Sequence, residues 1–185
     1  MPKISNERKN QRKGQILHAA FQCFVEKGYE QTTMREIFDR AGLSAGAVYL
    51  YFKGKKEIIQ SLANAGKWHF ERIVKEIDKS DNPLRDVLRR LAFLIDKKGG
   101  AKGIQLEITL LAASLNDNTL RKILLNKLQH DIAVVESLLQ KSSSNISMDE
   151  TAVARIIIGA IQGLSIQKMI DPGFSMQKVV KGYHM

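Results

Sequence analysis

The chain of 185 residues contains one cysteine, three prolines and few aromatic side chains. A lone Cys23 cannot form an intrachain disulfide, which excludes a small domain held together by disulfides. The sequence also lacks an uninterrupted apolar run of about 18 residues and a basic, apolar-cored leader. We therefore expect no membrane-spanning or signal segment, and a reducing, cytoplasmic setting.

Patterns of catalysis and of metal binding are missing as well. The four histidines, His18, His69, His130 and His184, show no H-x-x-x-H spacing, and no second cysteine is available as a ligand. Neither a G-x-S-x-G turn nor a phosphate-cradling glycine loop occurs. The sequence thus predicts no catalytic residue, no metal site and no cofactor.

What the chain does contain is helical periodicity. No segment alternates apolar and polar residues as a half-buried strand would. Ile16, Ala20 and Phe24 instead recur at a spacing of four residues before Gly28, a residue that commonly ends a helix. Comparable patterns continue to the end of the chain, so we predict an all-α protein.

Positive charge is abundant. The net charge of +10 favours a polyanionic partner, because such a partner releases counterions when its phosphates are neutralised. Residues 1–60 and 61–185 each carry +5, so charge alone does not locate a site. Residues 1–13 carry +4 and can be a phosphate-binding arm, a solvated tail or both. The cations of that segment are Lys3, Arg8, Lys9, Arg12 and Lys13.

Residues 32–55 predict two short helices joined by a three-residue turn. Thr33 and Glu36 form a T-x-x-E capping box at the start of the first helix. Gly42 can adopt the left-handed conformation that ends it, and Ser44 can cap the second helix. This spacing is typical of a helix-turn-helix unit, which places its second helix in a DNA groove.

The same residues resemble the tetracycline-repressor (TetR) family of bacterial transcription regulators over about residues 11–62. The motifs that carry the resemblance are an entry helix ending in G-Y, then T-T-M-R-E-I, A-G-L-S, Y-L-Y-F and K-x-K. The chain departs from the family pattern at Phe38, where a small residue is usual. The resemblance implies a three-helix DNA-binding domain at 1–55 and a helical effector-binding and dimerisation domain at 56–185, about nine helices in all.

The resemblance and the side-chain chemistry together predict the DNA contacts. Hydroxyls, a lysine and helix N-termini donate to phosphate oxygens, whereas arginine and small apolar side chains can contact base edges. For the two tyrosines, packing between helices is the alternative. The predicted phosphate contacts are Thr33, Ser44, Tyr49, Tyr51 and Lys55, and the predicted base contacts are Arg35, Ala45 and Gly46, with Ala47 and Leu50 as further candidates.

The segment from Asp149 to Ile170 is apolar nearly all round, with Arg155 its only charge between Thr151 and Ile166. Such a helix is covered either by a second copy of the chain or by the core of its own chain. We predict a homodimer interface whose second helix is the C-terminal helix or the one at 118–141. The predicted interface residues are Ala152, Ile156, Gly159, Gly163 and Ile166.

The resemblance also implies an effector site in the second domain. The predicted ligand-binding residues are Trp68, Phe93, Glu107, Leu110 and Leu111. Aromatic and leucine side chains at this spacing are also found in ordinary cores. Glu107 lies beside an apolar stripe, so it awaits a cationic ligand, forms a salt bridge or is simply exposed. We therefore expect an apolar or cationic effector.

These interpretations combine into one leading hypothesis and two alternatives. The first is a homodimeric repressor that binds a palindromic operator and is released by a small-molecule effector. The second is a ligand-independent DNA-binding protein whose C-terminal lobe only dimerises. The third is a small-molecule sensor whose N-terminal module binds a protein partner.

Overall fold

The computed structural model describes residues 6–77, 82–97, 100, 102–141 and 149–182. Nine helices and no strand occur within these ranges, which confirms the predicted all-α class. The helices are α1 Asn6–Lys27, α2 Met34–Ala41, α3 Ala45–Tyr49, α4 Lys55–Ile77, α5 Pro83–Asp96, α6 Lys102–Ser114, α7 Asn118–Lys141, α8 Glu150–Ile170 and α9 Met176–Gly182.

The chain divides into two compact units. Unit 1 contains the residues up to Ala65 together with Gln105–Leu124, and unit 2 contains Gly66–Ile104 and the residues from Leu125 onwards. Unit 1 is therefore larger than the predicted domain 1–55. The assignment of separate functions to 1–55 and 56–185 stays a prediction.

Unit 1 has a core built on the apolar stripe of α1. Phe24 and Ile16 are fully buried there, and Cys23 is buried beside them as a core residue. The first turn of α4 and parts of α6 and α7 complete this core. Its further members are Ile37, Val48, Phe52, Ile58, Leu106, Leu110 and Leu120.

The link between α1 and α2 contains a left-handed glycine and a side-chain hydrogen bond to that glycine's carbonyl oxygen. Gly28 has a φ of 82°, in the left-handed region that favours glycine, and ends α1 as the sequence predicts. The buried hydroxyl of Thr32 donates to the Gly28 carbonyl oxygen at 2.7 Å. These contacts stabilise the turn between α1 and α2.

Unit 2 has three smaller apolar clusters. Ile132, Val135 and Leu139 of α7 pack against Ala154 and Ile158 of α8. A second cluster joins α4, α5 and α7, and a third joins α5 to α9. The second is formed by Val74, Val87 and Leu138, and the third by Ala92, Ile95 and Met176.

Helix α8 is poorly covered within one chain. Ile156 is 61 % exposed and Ile170 is 79 % exposed. The alternative of a fully buried core helix is therefore wrong for the single chain. By length and composition alone α8 could also cross a membrane, but one such helix is weak evidence of a membrane protein.

Candidate nucleic-acid interface

Helix α2 has the two caps that the sequence predicts. The Thr33 side chain accepts a hydrogen bond from the Glu36 N–H, and a Glu36 carboxylate oxygen accepts one from the Thr33 N–H at 2.8 Å. Gly42 ends the helix with a φ of 62°. The capping box and the left-handed stop are both confirmed, so the turn into α3 has a defined geometry.

Glu36 is held by several donors at the start of α2. It accepts from the Lys27 ammonium, from the Thr33 N–H and from the Thr33 hydroxyl. The Lys27 contact, followed by the two Thr33 contacts, lowers the pKa of Glu36 to about 2. The Thr33 hydroxyl proton is thus already donated within the protein, and its phosphate contact stays a prediction.

Helix α3 presents a small, exposed tip. The Ser44 hydroxyl caps it by accepting from the Ala47 N–H at 3.3 Å, and the fully buried Val48 anchors its inner face. Ala45 and Gly46 are exposed on the outer face. A Cβ added at Gly46 would meet no other atom within 4 Å, so packing within the chain does not require glycine at this position.

Tyr49 packs against Phe38 at the outer edge of α3. The two rings make an edge-to-face contact with centroids 5.3 Å apart, and Tyr49 remains 51 % exposed. Phe38 itself is buried. The residue that departs from the family pattern therefore supports a predicted DNA contact, a role that its position in the sequence did not indicate.

Tyr51 and Leu50 follow at the C-terminal end of α3. Tyr51 is half-buried and packs against the core of unit 1, as the alternative for the tyrosines anticipated. Leu50 is 81 % exposed and has an apolar surface that could contact a thymine methyl. A phosphate contact through the Tyr51 hydroxyl stays a prediction.

Lys55 faces inwards at the start of α4. Its ammonium donates to the carbonyl oxygens of Tyr29 at 2.6 Å and Glu30 at 3.3 Å. It also lies 4.4 Å from the centroid of the Tyr29 ring, and burial lowers the pKa of Lys55. Two of its three N–H donors are thus engaged within unit 1, so the predicted phosphate contact would have to use the third.

Arg35 projects from the first turn of α2. Its side chain is 89 % exposed and forms a long ion pair, 3.9 Å, with Asp39 one turn later. Pairs of this kind contribute little to stability, so the guanidinium is available to another partner. Its predicted base contact is compatible with this placement.

The predicted dimer residues lie along α8 in unit 2. Ile156 and Ile166 are exposed, and Ala152 is half-buried. A Cβ added at Gly159 or Gly163 would meet no other atom within 4 Å. The surface is therefore apolar and open to close approach by another backbone, and its use as a dimer interface stays a prediction.

The five predicted ligand-binding residues are divided between the two units: Trp68 and Phe93 belong to unit 2, and Glu107, Leu110 and Leu111 belong to unit 1. Leu110 belongs to the core of unit 1, while Trp68 is 64 % exposed and stacks with Arg72. Phe93 contacts the side chains of nearby cations, and Leu111 is 48 % exposed. Glu107 is half-buried and already interacts with another group. Their ligand-binding role stays a prediction.

An apolar cavity of about 560 Å³ lies elsewhere in unit 2, between α5, α8 and α9. Leu88 and Leu91 line it on one side, and Ile157 and Val180 on others. Arg85 is its charged lining residue and is paired with Asp86 at 3.3 Å. Ile156 and Gly163 also line it, so the cavity borders the predicted dimer interface.

The described part of the chain contains no group of three or more histidine, cysteine, aspartate or glutamate side chains arranged to hold a metal ion. Arg40 pairs with Glu26, and Lys56 pairs with Asp117 at 2.7 Å, around the core of unit 1. The carboxylates of Glu26 and Asp117 are thus engaged in ion pairs.

Part of this chain is similar in sequence to known proteins. Residues 16–62 match the sequence model of the family described as bacterial regulatory proteins, tetR family. The HTH-type transcriptional repressor KstR2 of Mycobacterium tuberculosis is 37 % identical over 76 residues, which are 40 % of this chain and 38 % of that protein. The chain spans less than half the length of the first curated relatives it matches.

Solved structures resemble nearly the whole chain. The fatty acid degradation regulator FadR from Bacillus halodurans has a TM-score of 0.79 at 21 % identity, covering 98 % of this chain and 94 % of that one. FadR from Bacillus subtilis in complex with stearoyl-CoA has a TM-score of 0.73 at 23 % identity, covering 91 % and 94 %. At these identities the likeness shows the fold.

Proposed function

We propose, on the premise that residues 16–62 belong to the tetR family of bacterial regulatory proteins, that this chain is a homodimeric transcriptional repressor. It binds a palindromic operator in the cytoplasm through α2 and α3 and is released when a small-molecule effector occupies the C-terminal domain. In this proposal residues 1–55 bind DNA, and residues 56–185 dimerise and bind the effector.

The observation that carries this proposal is the construction of α3. Val48 anchors one face in the core, while the opposite face has only small or apolar groups and a tyrosine at its edge. A short, anchored helix with such a surface fits the major groove. Because this surface offers few hydrogen-bonding groups, DNA shape is expected to contribute to sequence choice.

Two observations support the effector. The cavity of unit 2 is apolar, and its volume falls within the roughly 300–1,000 Å³ usual for ligand pockets. A solved relative of the same fold is a complex with stearoyl-CoA. Helix α4 contains residues of both units and is a continuous element through which effector binding could alter the pose of α3.

The DNA-binding part is tested by selecting duplexes from a random-sequence pool and measuring binding to the enriched sequence by fluorescence anisotropy. We expect a palindrome with half-sites about one helical turn, ~34 Å, or a multiple of it apart. Tyr49→Phe keeps the ring on Phe38 and removes only the hydroxyl. It should weaken operator binding about tenfold or more, because hydrogen bonds to charged groups contribute ~1.5–3 kcal/mol.

Ser137→Ala, which removes an exposed hydroxyl from α7, is the control and should leave operator binding unchanged. An unaltered affinity of Tyr49→Phe would remove the tyrosine from the interface. Equal binding to every duplex, or none, would instead favour the sensor with a protein partner.

The effector part is tested with two amphiphiles of equal chain length, dodecanoate and dodecyltrimethylammonium. We expect at least one to raise the melting temperature of the free protein and to release the selected operator. Binding and release must be reciprocally coupled, with a typical coupling of about 1–3 kcal/mol. If neither amphiphile binds, the ligand-independent DNA-binding protein is the better description.

A further inference from the structure

The first turns of α1 carry a cluster of cations. Arg8, Lys9, Arg12 and Lys13 fall within six residues, and all four are exposed. Residues 6–13, the described part of this basic segment, are helical. Like charges four residues apart on a helix repel one another, so a polyanion bound here would relieve that repulsion.

This cluster lies directly beside the end of α3. A cleft of about 640 Å³ is lined by Lys9 and Lys13 on one side and by Leu50 and Tyr51 on the other. A second cleft, of about 420 Å³, is lined by Arg8 and Arg12 together with the same Tyr51. The tyrosine thus separates two clefts, each with two cations on its α1 wall.

The placement of α1 is held from within unit 1. The Gln15 amide donates to the Ala41 carbonyl oxygen at 2.6 Å, which ties α1 to the last residue of α2. Further along α1, Phe24 and Ile16 are fully buried in the same core as Val48 of α3. The cations of α1 and the tip of α3 therefore belong to one packed unit.

The two lysines are the better candidates for an external partner. Arg12 donates to the Gln15 side chain at 2.9 Å, and Arg8 also has a partner. No ion pair joins Lys9 or Lys13 to an acid in the part of the chain that the structure describes. Asn6 and Asn10 share their cleft and add amide donors of the kind that contact phosphate.

We propose that Lys9 and Lys13 bind the DNA backbone beside the C-terminal end of α3, forming a second phosphate-contacting element of the interface. The occupant is duplex DNA, because the cleft pairs cations and amides with the exposed end of a DNA-binding helix. The inference rests on the proposed function and adds to it a contact that is independent of base sequence.

The test is Lys9→Gln/Lys13→Gln, compared with wild type on the selected operator and on a scrambled duplex over a range of salt concentrations. The logarithm of affinity should depend less steeply on the logarithm of salt, by about 0.9 for each phosphate that the variant no longer neutralises. Two lysines in each of two protomers give a change of about 3.6. Affinity should fall by a similar factor on both duplexes, and Lys9→Arg/Lys13→Arg should restore it.

The matched control is Lys102→Gln/Lys122→Gln, which removes two exposed charges from α6 and α7. It should leave the salt dependence close to that of wild type. A slope that is unchanged in Lys9→Gln/Lys13→Gln, with normal operator selection, overturns this inference and leaves the proposed repressor intact. A wild type that binds no duplex overturns both.

Discussion

At the scale of single residues, Gly46 is a glycine that packing within the chain does not require. Glycine within a helix destabilises it by about 0.5–1 kcal/mol relative to alanine. The structure gives no internal reason to accept this cost, because a Cβ at Gly46 would meet no atom within 4 Å. Close approach of DNA to the tip of α3, as proposed above, would account for a glycine at this position.

We therefore expect Gly46→Ala to stabilise the protein and at the same time to weaken operator binding. The free energy of unfolding should rise by about 0.5–1 kcal/mol, measured by urea denaturation. Operator affinity should fall by about tenfold or more, equivalent to ~1.4 kcal/mol, because the added methyl group would meet the DNA. Gly103→Ala, at an open exposed position in α6, should stabilise without changing binding. Tighter operator binding by Gly46→Ala would contradict the close approach.

Phe38 and Lys55 show at the same scale what the sequence could not predict. Phe38 stood out only as a departure from a family pattern, yet it supports the Tyr49 ring. Lys55 had the chemistry of a phosphate contact, but its ammonium binds carbonyl oxygens 26 and 25 residues earlier in the chain. Side-chain chemistry predicts what a residue can bind, whereas packing decides which partner it reaches.

At the scale of elements, α9 depends on a residue of another helix. Asp96, the last residue of α5, accepts from the N–H groups of Met176 at 3.1 Å and Gln177 at 3.0 Å. It also accepts from the Ser175 hydroxyl at 2.9 Å. Burial raises the pKa of the Asp96 carboxyl, but these hydrogen bonds lower it by more. The pKa of Asp96 therefore lies below its ordinary value. Asp96 thus caps α9 from a distance of 80 residues in sequence.

Asp96→Ala should destabilise unit 2 by about 2–4 kcal/mol at pH 7, since several hydrogen bonds to a charged group are removed together. Because the pKa of Asp96 is lower in the folded state, its contribution is fully present above about pH 4 and disappears as pH falls through the folded pKa. Urea denaturation of wild type and variant at pH 7 and below pH 3 should show the difference shrinking with acidity.

The control for this prediction is Asp39→Ala, which removes an exposed carboxylate from a long ion pair on α2. It should change the free energy of unfolding by less than about 1 kcal/mol. A difference between wild type and Asp96→Ala that does not decrease at any pH below about 4, the pKa of an unperturbed aspartate, would show that the charge of Asp96 does not hold α9.

At the scale of the whole molecule, the exposure of α8 is the feature that a single chain does not explain. In the proposed homodimer a second copy would cover these apolar side chains and remove them from water. Two-fold symmetry would also present two α3 helices to the two halves of a palindrome. We therefore expect that a variant unable to dimerise also fails to bind the operator.

Ile156→Glu should give a monomer with a mass near 20.8 kDa in analytical ultracentrifugation, because it places a charge within the proposed interface. Its circular dichroism should remain helical, since Ile156 is already 61 % exposed. Operator affinity should fall steeply. Leu115→Glu, at an apolar position that is 72 % exposed beyond the end of α6, is the control and should stay dimeric. A dimeric Ile156→Glu would exclude this interface.

The sequence by itself determined where α2 begins and ends and where α3 begins. Thr33, Gly42 and Ser44 act on groups within a few residues of themselves, and such local chemistry is visible in a linear pattern. The tertiary structure alone decided which groups meet over long separations: Asp96 at α9, Lys55 at the carbonyls of unit 1, and the cations of α1 beside Tyr51. Those contacts depend on how helices pack, which a periodic pattern does not specify.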